Sequence, residues 1–191
     1  MGENRPEELA ELESRARWTL EHPEQLEPRQ TVDHAHVVLR LWKHSSFSDY
    51  SSWSVLRPTG RNVDNQALAV RKVVWERATD LRRFNDPMEW LKQGYHAPPT
   101  IIVRDAAMLA TPIDAMLAEV ALVPVPVAGI AARMGLDGET FGFEQKESGF
   151  WGVRLEWWAD GPEEWRAFTN DVARMRAAFE QCFSGGQQDA E

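Results

Sequence analysis

The spacing of apolar and polar residues changes period several times along this chain, and each change marks an element. Between 32 and 43, Ala35, Val37, Leu39 and Leu41 fall on one side of the alternation, and His34, His36, Arg40 and Trp42 on the other. A period of two predicts a strand with one buried and one wet face. Residues 52–57 and the segment ALAVRKVVWE at 67–76 predict two further strands, with Pro58, Gly60 and Asn65 punctuating the loop between them. TIIVRDA, after Pro98 and Pro99, predicts a fourth. The first half therefore reads as an antiparallel meander.

Three stretches change to a helical period. Leu9, Leu12, Ala16 and Leu20 share one face of a helix over 6–20, with glutamates in its first turns where the helix dipole favours them. Asp86-Pro87 predicts a short helix, MEWLKQ, ending at Gly94. Thr111 as cap and Pro112 as first residue predict a helix over 112–122, with Ile113, Met116, Leu117, Val120 and Ala121 as its stripe. Pro124 and Pro126 stop it, and VPVPV is then extended.

The best-specified stretch is 135–183. Phe141 and Phe143 lie on one face of a strand, and Trp151, Val153, Leu155 and Trp157 on one face of the next. A three-residue loop, Glu147-Ser148-Gly149, sets 143 opposite 153 and 141 opposite 155, so that both apolar faces coincide. A two- or four-residue loop would turn one of them to water. Asp160 or Gly161 then caps a helix over 161–183, whose stripe is Trp165, Phe168, Val172, Met175, Phe179 and Cys182. That stripe is predicted to lie on the hairpin. The expected fold class is α+β: a single domain over 31–183, with a mostly antiparallel sheet carrying the C-terminal amphipathic helix and a shorter helix. Residues 1–30 read as an N-terminal helical appendage and 184–191 as a disordered tail.

Composition narrows the function. The net charge is −9, of which the first 30 residues and residues 160–191 each carry −4, while 57–83 is locally basic. An acidic balance argues against nucleic acid and anionic membranes as partners, and favours a protein with a basic surface. Nine tryptophans supply a large core or a binding surface. One cysteine, Cys182, excludes an internal disulfide and lies on an apolar helix stripe, where it packs rather than reacts. MGENRPEELAEL has no basic-then-apolar leader pattern, and the run Ala121 to Ala132 is too short and proline-broken to span a bilayer. The expected compartment is cytoplasmic.

Candidate chemistry is sparse. His34 and His36, two apart on a strand, could offer two nitrogens to a zinc ion, but zinc needs at least a third protein ligand, so no metal site is favoured and no cofactor is implied. The serines at 45–54 contain no G-x-S-x-G, and Gly135-x-Asp137-Gly138 is a turn signal rather than a phosphate loop. Glu156, Asp160, Glu163 and Glu164 gather near the start of the last helix, where carboxylates complement its dipole. With Trp157 facing the core, Trp158 faces away and could anchor a partner.

A GLDG turn, a hairpin, then WW-x-D-G-P-x-E-W and an amphipathic last helix resemble small bacterial α+β proteins of uncharacterised function, over Gly135 to about Phe183. Some similar small acidic proteins act as immunity or accessory proteins beside bacterial toxins. The resemblance implies a fold element and carries over no functional residue. The expectation is a non-enzymatic, soluble, bacterial protein-binding protein, with Trp158, Glu156, Asp160, Glu164, Arg40 and Trp42 as binding residues. The alternative is a ligand-binding or metal-dependent hydrolytic enzyme using the polar face around His34, His36 and Arg40.

Overall fold

The computed structural model describes residues 5–26, 35–58, 67–86, 88, 97–126, 138–146 and 152–184. Strands β1 (Ala35–Ser45), β2 (Tyr50–Pro58), β3 (Ala67–Trp75), β4 (Ile101–Leu109), β5 (Glu139–Lys146) and β6 (Gly152–Trp158) form one sheet. Its order is β4-β3-β2-β1-β5-β6, and every neighbouring pair is antiparallel. Helices α1 (Arg5–Glu21), α2 (Arg77–Asn85), α3 (Ala110–Ala121) and α4 (Arg166–Ser184) complete a single α+β domain. The predicted meander is β1 to β4. The chain then returns through α3 and lays β5 against the free side of β1.

One face of the sheet carries α3 and α4. Phe168, Val172, Met175 and Phe179 recur at helical spacing and are buried against Leu39, Leu41, Trp53, Val55, Phe143 and Trp157. Phe168 sits at the centre of an aromatic knot, edge-on to Phe143 at 5.4 Å, Trp157 at 5.6 Å and Trp165 at 6.3 Å between ring centroids. Such T-shaped contacts set the electropositive ring edge against the neighbour's face. Phe141 and Leu155 pack against the same core. Trp165 donates its indole N–H to the Pro126 carbonyl at 2.9 Å, which ties the segment after α3 to the start of α4. At the far end of α4, Lys72 and the Trp53 indole both bond Glu180, at 2.6 and 3.0 Å.

The opposite face is covered by α1. Leu12, Ala16 and Leu20 form a stripe four residues apart and pack on Tyr50, Val73 and Trp75. Polar bonds fasten the same helix: the Ser52 hydroxyl donates to the Leu20 carbonyl at 3.1 Å, and Arg77 pairs with Glu13 at 2.8 Å. Buried Arg71 holds the turn after α1 by donating to the carbonyls of Pro23 and Leu26 at 2.7 and 2.9 Å. The locally basic segment thus meets the acidic ends of the chain at Glu13 and Glu180.

Several sequence expectations are corrected. The alternation in β1 predicted a wet second face, but α1 buries it. The alternation itself breaks at a bulge between Val37 and Leu39, where Val37 opposes Leu56 and Leu39 opposes Val55. The extra residue moves His36 to the α3–α4 side, away from Arg40 and Trp42. The hairpin register is two residues longer than predicted. Lys146 opposes Gly152, Phe143 opposes Leu155 and Phe141 opposes Trp157, so five residues separate the paired ends. A shift of two preserves parity, so both apolar faces still coincide.

Thr111 does not cap α3: the helix starts at Ala110, directly after β4, with no side-chain cap. The capping role expected of Asp160 or Gly161 is also unfilled. Pro162 precedes a 3-10 turn, Glu163–Trp165, that leads into α4 without a side-chain cap. α2 was not anticipated. Its buried Asp80 accepts from the Trp75 indole at 2.7 Å and from the Thr100 amide and hydroxyl at 2.7 and 2.6 Å, pinning α2 to β3 and to the approach to β4. The short helix expected after Asp86-Pro87, the loop at 147–149, Trp151, His34 and the tail from 185 lie outside the described residues.

Candidate functional site

Three of the sequence-nominated residues come together, beneath α1. Arg40 is only 4 % exposed; it pairs with Glu144 at 2.6 Å and donates to the Glu21 carbonyl at 2.7 Å. Trp42 is equally buried, and its indole N–H donates to the Glu156 carboxylate at 3.3 Å. The Trp42 ring lies flat on Gly142, where a Cβ would come within 1.9 Å of the indole; only a glycine admits the ring there. The Arg40 and Arg154 guanidiniums stand over the Trp42 ring at 5.3 and 4.8 Å. Arg154 in turn pairs with the Glu21 side chain at 2.9 Å.

Charge in this cluster is balanced by proximity. Burial pushes the Arg40 guanidinium below its ordinary pKa, while Glu144 and Glu21 pull it back up. Burial alone would raise the Glu21 carboxyl, but Arg154 and Arg40 together bring it below the ordinary carboxylate value. The arrangement fastens α1 to the sheet: both terminal nitrogens of Arg40 are engaged, by Glu144 and by the Glu21 carbonyl, and its buried Nε makes no hydrogen bond among the described residues.

His44, on the same face of β1, stacks on Tyr50 with ring centroids 4.5 Å apart. Burial, reinforced by Arg17, Arg40 and Arg154, lowers its pKa from 6.5 to about 4. The unfolded chain therefore takes up this proton first as the pH falls. The stability that neutral His44 contributes is complete above pH 6.5, declines between 6.5 and about 4, and is flat below. The whole decline amounts to about 3 kcal/mol. Urea unfolding of the parent and of His44→Phe, which keeps a ring against Tyr50, should diverge across this window, with the variant losing less. Parallel profiles would remove His44 as the cause.

The remaining nominated residues are separate. Trp158 shares the Trp42 face, opposite Thr140, and is half-buried with the backbone of Gly138 against its ring. Glu164 is exposed in the 3-10 turn. His36 is half-buried, and among the described residues no group of three or more His, Cys, Asp or Glu side chains could hold a metal ion. Cys182 is half-buried, with its sulfur directed at the Ala178 carbonyl.

Asp160 lies on the other face of the sheet, at the rim of a cleft of about 440 Å³ between β5 and α4. Leu41, Phe141 and Trp157 provide its apolar side, with Phe141 and Trp157 stacked at 6.3 Å. Arg166, Thr169, Asn170, Ala173 and Arg176 provide the other. The Arg176 guanidinium lies 4.9 Å from the Phe141 ring centre and 6.0 Å from that of Trp53. Among the described residues neither Arg166 nor Arg176 forms an ion pair. Arginine donates and does not exchange protons near neutral pH, so the cleft is equipped to hold an anionic group against an aromatic floor.

Sequence reasoning nominated Asp160 and Trp42, both of which line the cleft, and missed the rest. The available signal was a second stripe on α4, Arg166, Asn170, Ala173 and Arg176, running beside the apolar one with a small residue inside it. No helix among the described residues is long and apolar enough to cross a membrane. Comparison of the chain with family models, with curated proteins and with solved structures gave no match.

Proposed function

We propose that this chain is a non-enzymatic protein-binding protein, of an accessory or immunity-like kind, that receives its partner at the cleft between β5 and α4. The observation that carries the reading is an open concavity joining stacked aromatic rings to two guanidiniums that make no ion pair among the described residues. Aromatic and arginine side chains are the groups most enriched at binding hot spots. The acidic balance of the whole chain, −9, favours a partner whose wider surface is basic, while the cleft itself takes the opposite charge. Arg40 and Trp42 engage Glu144, Glu21 and Glu156, and so lend no support to the alternative of an enzyme on that face.

The test is site-specific photocrosslinking in the native host. A benzophenone side chain at Ala173, inside the cleft, should give a discrete adduct that Arg176→Ala abolishes. The same group at exposed Glu11 on α1 should give none. Equal adducts at both positions, or none at Ala173, would overturn the reading.

A further inference from the structure

The cleft has a length and a charge spacing, and these restrict what can fill it. Arg166 and Arg176 are ten residues apart on one helix, about 15 Å along its axis at 1.5 Å per residue. One small anion does not bridge that span. Between them lies Ala173, whose short side chain leaves room in front of Phe141. The order along the cleft is therefore guanidinium, a middle stretch in which Asn170 and Ala173 face the apolar wall of Phe141 and Trp157, then guanidinium.

An extended peptide matches this order. Its residues advance about 3.3 Å each, so side chains four apart stand about 13 Å from one another and point the same way, as does the side chain midway between them. We propose that the cleft binds an extended acidic segment of the form acid-x-apolar-x-acid. Its two carboxylates meet Arg166 and Arg176, and its central apolar side chain meets Phe141 beside Ala173. This rests on the reading of the cleft as the partner site and names the chemistry of what enters it. The Arg176 guanidinium, already lying over the Phe141 ring, offers a carboxylate paired N–H donors with little ordering left to do. Asp160 at the rim works against the nearer carboxylate and weakens binding.

The probe is a fluorescein-labelled heptapeptide, Ser-Glu-Ser-Leu-Ser-Glu-Ser, titrated with the full chain and followed by anisotropy. Saturable binding is expected, with Arg166→Ala and Arg176→Ala each weakening it about tenfold. Replacing the peptide leucine by serine should weaken it by about as much, and Asp160→Asn should strengthen it about threefold. Both arginine variants should keep the parent's thermal midpoint. Three outcomes overturn the proposal: no saturation by the acidic peptide, tighter binding of the version with lysine for glutamate, or equal binding with serine for leucine together with full displacement by tripolyphosphate, which would make the cleft a general polyanion site. If the Ala173 adduct forms while the peptide does not bind, the acidic-segment proposal falls and the partner reading stands. If neither occurs, both fall.

Discussion

Phe168→Ala is expected to lower the unfolding free energy by roughly 3–5 kcal/mol, the range for deleting a buried phenyl ring and leaving its cavity. Phe168 is 2 % exposed and touches three other rings that belong to β5, β6 and the turn before α4. Those rings cannot collapse into the gap easily. Phe143 and Trp157 are fixed by their strand registers, and Trp165 is held by its bond to Pro126. Loss of the ring therefore removes both transfer energy and the contact that orients α4 on the hairpin. Urea unfolding should report the loss, and the near-ultraviolet circular dichroism of the tryptophans should weaken in the folded variant. A cost below about 1 kcal/mol would mean that α4 is held chiefly elsewhere, for example at Glu180.

The contact of α4 with the hairpin was also the most legible part of the fold. Its buried positions repeat at three and four residues, and only a helix places them on one side. The hairpin it covers was legible in its faces but not in its register. Three- and five-residue loops both set Phe143 and Leu155 on the same side, because alternation fixes parity and nothing more. The chain adopts the longer spacing, which brings Trp157 opposite Phe141 and within reach of Phe168. The bulge at Val38 left no trace in the pattern, since with apolar residues at 37, 38 and 39 the alternation Val37, Leu39, Leu41 reads as unbroken.

The second face of the sheet explains most of what was misread about the site. Polar residues on one side of β1 look solvated when the strand is read alone. Arg40 and Trp42 are instead half of a joint whose other half, Glu21, lies in a different element, and whose remaining partners, Glu144 and Glu156, lie in the hairpin. The stripe Leu12, Ala16 and Leu20 was visible, but an apolar stripe does not say where it docks. The cleft was hidden for a related reason. Arg166, Asn170 and Arg176 acquire meaning only when β5 places Phe141 in front of them, and the apolar stripe that docks α4 on the hairpin does not say which flanking polar residues will face its rings.

Arg71→Met tests the α1 joint and should be as costly as the loss of Phe168. Arg71 is 3 % exposed and stands directly opposite Asp105 in the β3–β4 pairing. It donates twice to that carboxylate, both at 2.7 Å, and also to the Pro23 and Leu26 carbonyls. Methionine keeps most of the apolar stem but none of the donors. It leaves Asp105 without its guanidinium and the two carbonyls without this donor, all in an environment that excludes most water. Breaking one side of a buried pair in this way costs roughly 3–5 kcal/mol, mainly through the charge left behind. Adding Asp105→Asn should therefore recover part of the loss, because a neutral amide is cheaper to bury than a carboxylate that has lost its two-bond guanidinium partner. The location of the damage is the sharper readout. Arg71 secures the turn that follows α1, so amide exchange should accelerate over Leu12–Leu20 while α4 stays protected. Uniform acceleration across both helices would show that α1 and the sheet unfold as one unit and that Arg71 is not its clasp.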